Sequence, residues 1–228
     1  HYNHLLAAFA KSGDADHCEA LIEKMISQNV QPDLLSYTTV IHAFAKNANP
    51  TKALLWLENL SQHPHIRPDL VCHNAVLDAF AKSNDAVGAQ DQYAKMKKAG
   101  VEGDVVTFST LVDACANASG ECRNIAEGKM SHRAVYWFEQ MQTHGIRPNH
   151  RAYARLIEMW SALGDLEKAE AWHERMKSAG IKANSSVYIA LVGACASNGD
   201  SAAAEEYISK MKSEGIKPNL AVLTNVIG

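Results

Sequence analysis

The sequence predicts an all-α solenoid of about six 35-residue helix-turn-helix repeats, and three observations carry that prediction. An Asp or Asn recurs at Asp33, Asp69, Asp104, Asn149, Asn184 and Asn219, at separations of 36, 35, 45, 35 and 35 residues. A bulky residue, usually aromatic, follows four places on, as Tyr37, His73, Phe108, Tyr153, Tyr188 and Leu223. Between anchors, apolar residues fall at i, i+3, i+4 and i+7 in two runs, the pattern of two amphipathic helices. A fixed period in this range means helical hairpins that each bury an apolar face against their neighbours.

The repeats divide the chain at 1–33 (partial), 34–69, 70–104, 105–149, 150–184, 185–219 and 220–228 (partial). The first unit is the template. Its first helix, about Tyr2 to Lys11, carries Tyr2, Leu5, Leu6 and Phe9 on one face, and Gly13 breaks it; its second, about Asp16 to Gln28, buries Cys18, Leu21, Ile22 and Met25. In the later second helices the same four places read Ala53-Trp56-Leu57-Leu60, Ala89-Gln92-Tyr93-Met96, Ala134-Trp137-Phe138-Met141, Ala169-Trp172-His173-Met176 and Ala204-Tyr207-Ile208-Met211. A small residue leading a bulky stripe lets helices approach closely, so the in-register tryptophans are expected in the core. Cys115 and Cys195 occupy the slot of Phe44 and Phe80, which makes them core thiols. The repeat at 105–149 is ten residues too long, and the excess lies near 118–130, between a first helix and a second expected at about Ser131 to Thr143. Such an insertion emerges as a loop on one face, here a tolerated surface loop or a partner contact using Arg123 or Lys129.

Bulk composition excludes several classes. The 228 residues carry 22 Lys plus Arg against 25 Asp plus Glu, a net charge of −3, so any nucleic-acid site is local. Five cysteines without a C-x-x-C suggest neither a disulfide framework nor zinc and fit a reducing compartment. His63-Pro-His65 lacks a carboxylate or cysteine at ligand spacing, so no metal or other cofactor is expected. No run approaches the roughly 18 apolar residues of a membrane span, so no membrane insertion is expected. His1 falls two positions into a repeat and Gly228 inside a helix, which leads to the expectation of a longer parent array.

The period of 35, the Tyr-x-x-Leu/Val-Ile first helix and the closing Gly-Ile-x-Pro-Asp/Asn turn, GIRPN at Gly145 to Asn149 and GIKPN at Gly215 to Asn219, resemble the pentatricopeptide repeat family over essentially the whole chain. The tetratricopeptide alternative has a period of 34 and a W-x2-L-G-x2-Y first helix, which is not seen. The resemblance implies a right-handed superhelix that binds single-stranded RNA, organellar in location, mitochondrion or chloroplast. It also implies that each repeat reads one base through its fifth and last residues, with the second residue packing on base faces.

Carried over by alignment, the base-reading pairs are Asn3 with Asp33, Thr38 with Asp69, Asn74 with Asp104 and Ser109 with Asn149; the base-sandwiching residues are Leu35, Val71, Val106 and Arg151. The family correspondence reads these pairs as 5′-UGUA-3′. Chemistry agrees in outline: a carboxylate only accepts and suits the imino N–H of uracil or guanine, whereas an Asn amide also donates and suits adenine or cytosine. The next pairs, Ala154 with Asn184 and Ile189 with Asn219, depart from the pattern because their fifth residues cannot hydrogen-bond a base edge. The last residue of the first helix is Lys11, Lys46 and Lys82, then Asn117, Ala162 and Ser197; the resemblance places this column near phosphates, where lysine releases counterions.

Each column has a structural explanation as well. Asp and Asn cap helices, and a terminal lysine complements the helix dipole. Neither accounts for three columns fading toward the same end of the chain, the lysines after Lys82, the hydrogen-bonding pairs after Ser109 with Asn149 and the sandwiching residues after Arg151. On the first helices, with Arg151 set aside among the base-sandwiching residues, Lys11, Lys46, Lys82 and Arg155 stand against Asp78, Asp113 and Glu158, a net of about +1, which is thin for RNA. A second reading is therefore a structural or assembly subunit holding protein, at the degenerate repeats 150–219 or the 118–130 insertion. No acidic nuclease cluster, deaminase signature or phosphate loop is present, so no catalysis is expected of this chain; a third reading makes it the RNA-binding array of a nuclease or editing enzyme whose catalytic domain lies elsewhere.

Overall fold

A computed structural model describes residues 2–119 and 129–218. The described residues form twelve helices and no strand: α1 Tyr2–Ser12, α2 Ala15–Ser27, α3 Leu34–Lys46, α4 Pro50–Ser61, α5 Leu70–Lys82, α6 Ala86–Lys98, α7 Val105–Ser119, α8 Lys129–Thr143, α9 His150–Ala162, α10 Leu166–Ser178, α11 Ser185–Ser197 and α12 Ser201–Ser213. Odd-numbered helices are the first and even-numbered the second of each hairpin. The chain divides into two compact units, residues 1–114 and 115–228. In the first unit α1, α3 and α5 pack side by side, and in the second α9 packs on α11 in the same way.

Caps punctuate each hairpin. The anchors Asp33, Asp69, Asn149 and Asn184 have extended backbones, and each accepts the N–H of the residue three places on. Asp104 does the same for Thr107. Asp14, Asn49, Asp85, Asp165 and Asp200 cap second helices likewise, each bond satisfying an amide that the helix leaves unpaired. At the far end the chain leaves α8, α10 and α12 through Gly145, Gly180 and Gly215 at φ between 71° and 77°. Ile146, Ile181 and Ile216 then donate back to Met141, Met176 and Met211. That left-handed step is cheapest for glycine, which explains the recurring Gly-Ile.

The bulky stripe is core, as expected: Trp56, Trp137 and Trp172 are all buried, and so are Cys115 and Cys195. Burial pushes the Cys115 thiol up to about 12 and the Cys195 thiol to about 11, so both stay protonated and unreactive. In the first unit Tyr37 packs on Trp56, ring centres 6.1 Å apart. In the second, Phe138 stands edge-on to Tyr153 at 4.8 Å and to Trp172 at 4.9 Å. The second helix of the lengthened repeat, expected at about Ser131 to Thr143, runs from Lys129 to Thr143; residues 120–128, including Arg123, lie outside the described residues.

One hairpin replaces the tyrosine–tryptophan pair by polar groups. His73 and Gln92 are both buried, with His73 Nδ1 3.1 Å from Gln92 Nε2. Burial lowers the His73 pKa against a smaller opposing pull from Asp69, so the ring is neutral in the fold. The unfolded chain takes up a proton near 6.5, before the folded chain does, so the stability present above that pH is lost as pH falls below it. His73→Tyr with Gln92→Trp restores the pair used at Tyr37 and Trp56. Urea denaturation between pH 7 and pH 5 should then show a shallower loss of stability for the double variant than for the parent chain.

Candidate nucleic-acid interface

Helix stacking brings together residues that are 30 apart in sequence. The fifth residue of a repeat lies one turn into its first helix and the last residue precedes the next first helix; in the first and third repeats the two side chains meet. Asn3 Nδ2 donates to both carboxylate oxygens of Asp33, at 3.2 and 3.1 Å. Asn74 Nδ2 donates to Asp104 Oδ1 at 3.1 Å. A third group closes each pair: the Ser36 hydroxyl lies 2.8 Å from Asn3 Oδ1 and from Asp33 Oδ1, and the Thr107 hydroxyl lies 2.7 Å from Asn74 Oδ1 and 3.0 Å from Asp104 Oδ1. Sequence reasoning missed Ser36 and Thr107. The signal was an Asp followed three places on by Ser or Thr, which marks a helix start in which both residues bond to each other's backbone.

These bonds set the charge state of the acids. Burial would raise the Asp33 carboxyl, but the bonds it accepts from the Ser36 amide and hydroxyl and from Asn3 outweigh it and hold it below its ordinary 3.8. Asp104 is held down in the same way, with burial opposed by Thr107 and Asn74. Both are carboxylates at neutral pH and present acceptors only.

The other two expected pairs are arranged differently. Thr38 gives its hydroxyl to the Leu34 carbonyl at 2.6 Å and lies 3.1 Å from Cys72 Sγ, while Asp69 caps α5 through the Cys72 amide at 2.9 Å. Ser109 is buried, 1% exposed, and its hydroxyl is donated to the Val105 carbonyl at 2.6 Å. It belongs to the first unit, whereas Asn149 caps α9 in the second. Further on, Ala154 is buried, Asn184 accepts from the Ser186 hydroxyl at 2.9 Å, and Asn219 lies outside the described residues.

The second-position side chains stand in solvent. Leu35 is 60% exposed, Val71 50% and Val106 45%, and Arg151 is exposed as well. Each lies three places before a fifth residue on the same helix, hence on the same face. Three exposed aliphatics thus stand at equivalent places, three residues before Thr38, Asn74 and Ser109.

Lys11, Lys46 and Lys82 are all exposed. Lys46 Nζ donates to the Lys11 carbonyl at the end of α1, 2.7 Å away, complementing that helix's negative end. Lys82 is paired with Asp78 at 2.6 Å. In the second unit Arg155 bonds Glu158 at 2.7 Å and also donates to Asn117. Lys82 and Arg155 are thus paired with two of the acids already counted against them. Among the described residues no group of His, Cys, Asp or Glu has the arrangement of a metal site, and no helix is long and apolar enough to cross a membrane.

Comparison with known proteins agrees with this architecture. The model of the pentatricopeptide repeat domain matches residues 93–163, 136–185 and 171–228; that of the PPR repeat family matches 1–46 and 68–117, and that of the PPR repeat matches 35–63. A chloroplastic pentatricopeptide repeat-containing protein of Arabidopsis thaliana is 26% identical over 167 residues, 72% of this chain and 20% of that protein. Another from the same plant is 38% identical over 85 residues, 37% of this chain and 9% of the relative. The chain thus spans a fifth or less of the length of these relatives. Among solved structures, the maize pentatricopeptide repeat protein PPR10 superposes with a TM-score of 0.70 at 24% identity, over 100% of this chain and 31% of that one. PPR10 in complex with an 18-nucleotide psaJ RNA element gives 0.60 at 22% identity, over 99% of this chain and 36% of that one. The repeat domain of Arabidopsis thaliana protein-only RNase P 1 in complex with tRNA gives 0.54 at 14% identity, over 98% and 94%. With matches along its whole length and two helices per period, the chain belongs to the pentatricopeptide repeat family.

Proposed function

We propose that this array binds single-stranded RNA sequence-selectively, one base per repeat, and acts by occupying its site in a mitochondrial or chloroplast transcript. The observation that carries the reading is the pairing of Asn3 with Asp33 and of Asn74 with Asp104, which joins the two residues of a repeat that the family code uses. On the helix of the second pair's asparagine, three places before Asn74, Val71 stands exposed and able to cover a base face. Under the correspondence the first three pairs read 5′-UGU-3′, and Ser109 with Asn149 adds A by analogy alone. PPR10 in complex with RNA supports the partner class. Protein-only RNase P with tRNA supports a role for such an array in holding RNA for a catalytic domain elsewhere in a polypeptide.

The phosphate column supplies the test of mode. Lys46→Ala should weaken binding to every RNA alike, by roughly 2- to 5-fold, and reduce the slope of log K against log salt by about one. Fluorescence anisotropy titrations at several salt concentrations read both quantities. A loss confined to one base sequence would move Lys46 out of the phosphate column. A scaffold that holds protein is the second reading, favoured by the ion pairs Lys82–Asp78 and Arg155–Glu158, which leave less positive charge for phosphates.

A further inference from the structure

We infer that the hydroxyl at the third position of a first helix, Ser36 or Thr107, is a positioning residue that orients the preceding repeat's asparagine for base reading; this rests on the RNA reading above. Two repeats, one with serine and one with threonine in the third place, share one geometry. In each, the amide oxygen faces the hydroxyl, at 2.8 Å for Asn3 with Ser36 and 2.7 Å for Asn74 with Thr107. In each, the amide nitrogen donates to the carboxylate. A carboxylate alone restrains one end of the amide; the hydroxyl restrains the other and closes the ring of bonds. One amide N–H is used by the Asp, and the second stays beside a carboxylate acceptor.

That order of groups carries base information. Uracil presents an imino N–H next to a carbonyl, which complements an acceptor beside a donor. Cytosine presents a ring acceptor next to an amino donor, the reverse polarity. Were the amide to turn over, acceptor would stand beside acceptor and the distinction would be lost.

Each hydroxyl also accepts the backbone amide of its Asp, Ser36 from Asp33 at 3.3 Å and Thr107 from Asp104 at 3.1 Å, but a helix cap does not require a hydroxyl in this place. Asp69, Asn149 and Asn184 cap α5, α9 and α11 through the same backbone bond with Cys72, Ala152 and Val187 in the third place. In the chain, moreover, the third-place hydroxyl follows an asparagine. Ser36 follows Asn3 and Thr107 follows Asn74, whereas Cys72 follows Thr38, Ala152 follows Ser109 and Val187 follows Ala154.

The test uses Thr107→Val, which keeps the branched shape and the amide that caps on Asp104 but removes the hydroxyl. Four RNAs that differ only at the third base of UGUA are titrated against the parent chain, Thr107→Val and Thr107→Ser. Thr107→Val should lower the preference for U over C by roughly 3- to 10-fold, the worth of one hydrogen bond, and Thr107→Ser should restore it. An unchanged U-to-C ratio in Thr107→Val, or an equal loss on all four RNAs, would overturn the inference while leaving base reading intact. A parent chain indifferent to the third base would overturn the reading beneath it. A gain-of-function arm stands apart from any folding defect of Thr107→Val: Thr38→Asn with Cys72→Ser builds the same triad in the second repeat. It should select U over C at the second base more sharply than Thr38→Asn alone, and equal selectivity of the two would contradict the inference.

Discussion

Asn74→Ser should move the preference at the third base from U toward G, changing the ratio of the two affinities by roughly 5- to 150-fold, the equivalent of about 1–3 kcal/mol for a well-made base contact. The reason lies in what hydroxyls do at this position. Thr38 and Ser109, at the fifth place of their own repeats, both donate to the carbonyl four residues back, Leu34 and Val105. A serine at position 74 has the same carbonyl within reach, that of Leu70, and the local bond competes with any reach toward Asp104. Asp104 then keeps its caps from the Thr107 amide and hydroxyl but loses the amide of Asn74. What remains is a carboxylate acceptor next to vacated space, which suits a purine with an imino N–H. Titration of four RNAs differing only at that base reads the change. A loss of equal size on all four would show that Asn74 supports the helix and does not read.

Phe138→Ala should destabilise the chain by about 3–5 kcal/mol, the usual range for removing a fully buried aromatic ring. Phe138 is 0% exposed and stands edge-on to both Tyr153 and Trp172, and the Arg175 guanidinium lies 5.3 Å from its ring centre. Its loss opens a hole where α8, α9 and α10 meet, with neighbours too large to collapse into it. Phe138→Leu fills most of that volume and should cost much less. Urea denaturation followed by tryptophan fluorescence checks both, because Trp137 and Trp172 are adjacent. Equal midpoints for parent and Phe138→Ala would show that the ring is not part of the packed core.

The hairpins were legible because burial imposes two periodicities at once, 3.6 within a helix and 35 between repeats. Trp56, Trp137 and Trp172 fall in one register, and the structure buries all three. The anchors were legible as caps for a local reason: an Asp or Asn bonds an amide only three residues away. What the sequence hid are contacts between residues some 30 to 38 apart, whose geometry depends on how adjacent hairpins stack. Lys46 on the Lys11 carbonyl, Arg155 on Asn117 and Thr107 on Asn74 are of this kind. Alignment placed Ser109 in the reading column, but side-chain burial depends on neighbours, and the structure leaves it 1% exposed with its hydroxyl turned onto its own helix. Lys82 with Asp78 was within reach of sequence reasoning, since a spacing of four on a helix puts the two charges together.

Fluorescence anisotropy of this chain with two short single-stranded RNAs, one containing UGUA and one with those four bases scrambled, at two salt concentrations, tests the central claim most directly. Selective reading by the first unit's Asn–Asp pairs predicts tighter binding to UGUA at both salts, with both affinities falling as salt rises and the ratio between them holding. Equal affinity for the two RNAs, or no binding to either at the lower salt, would contradict it.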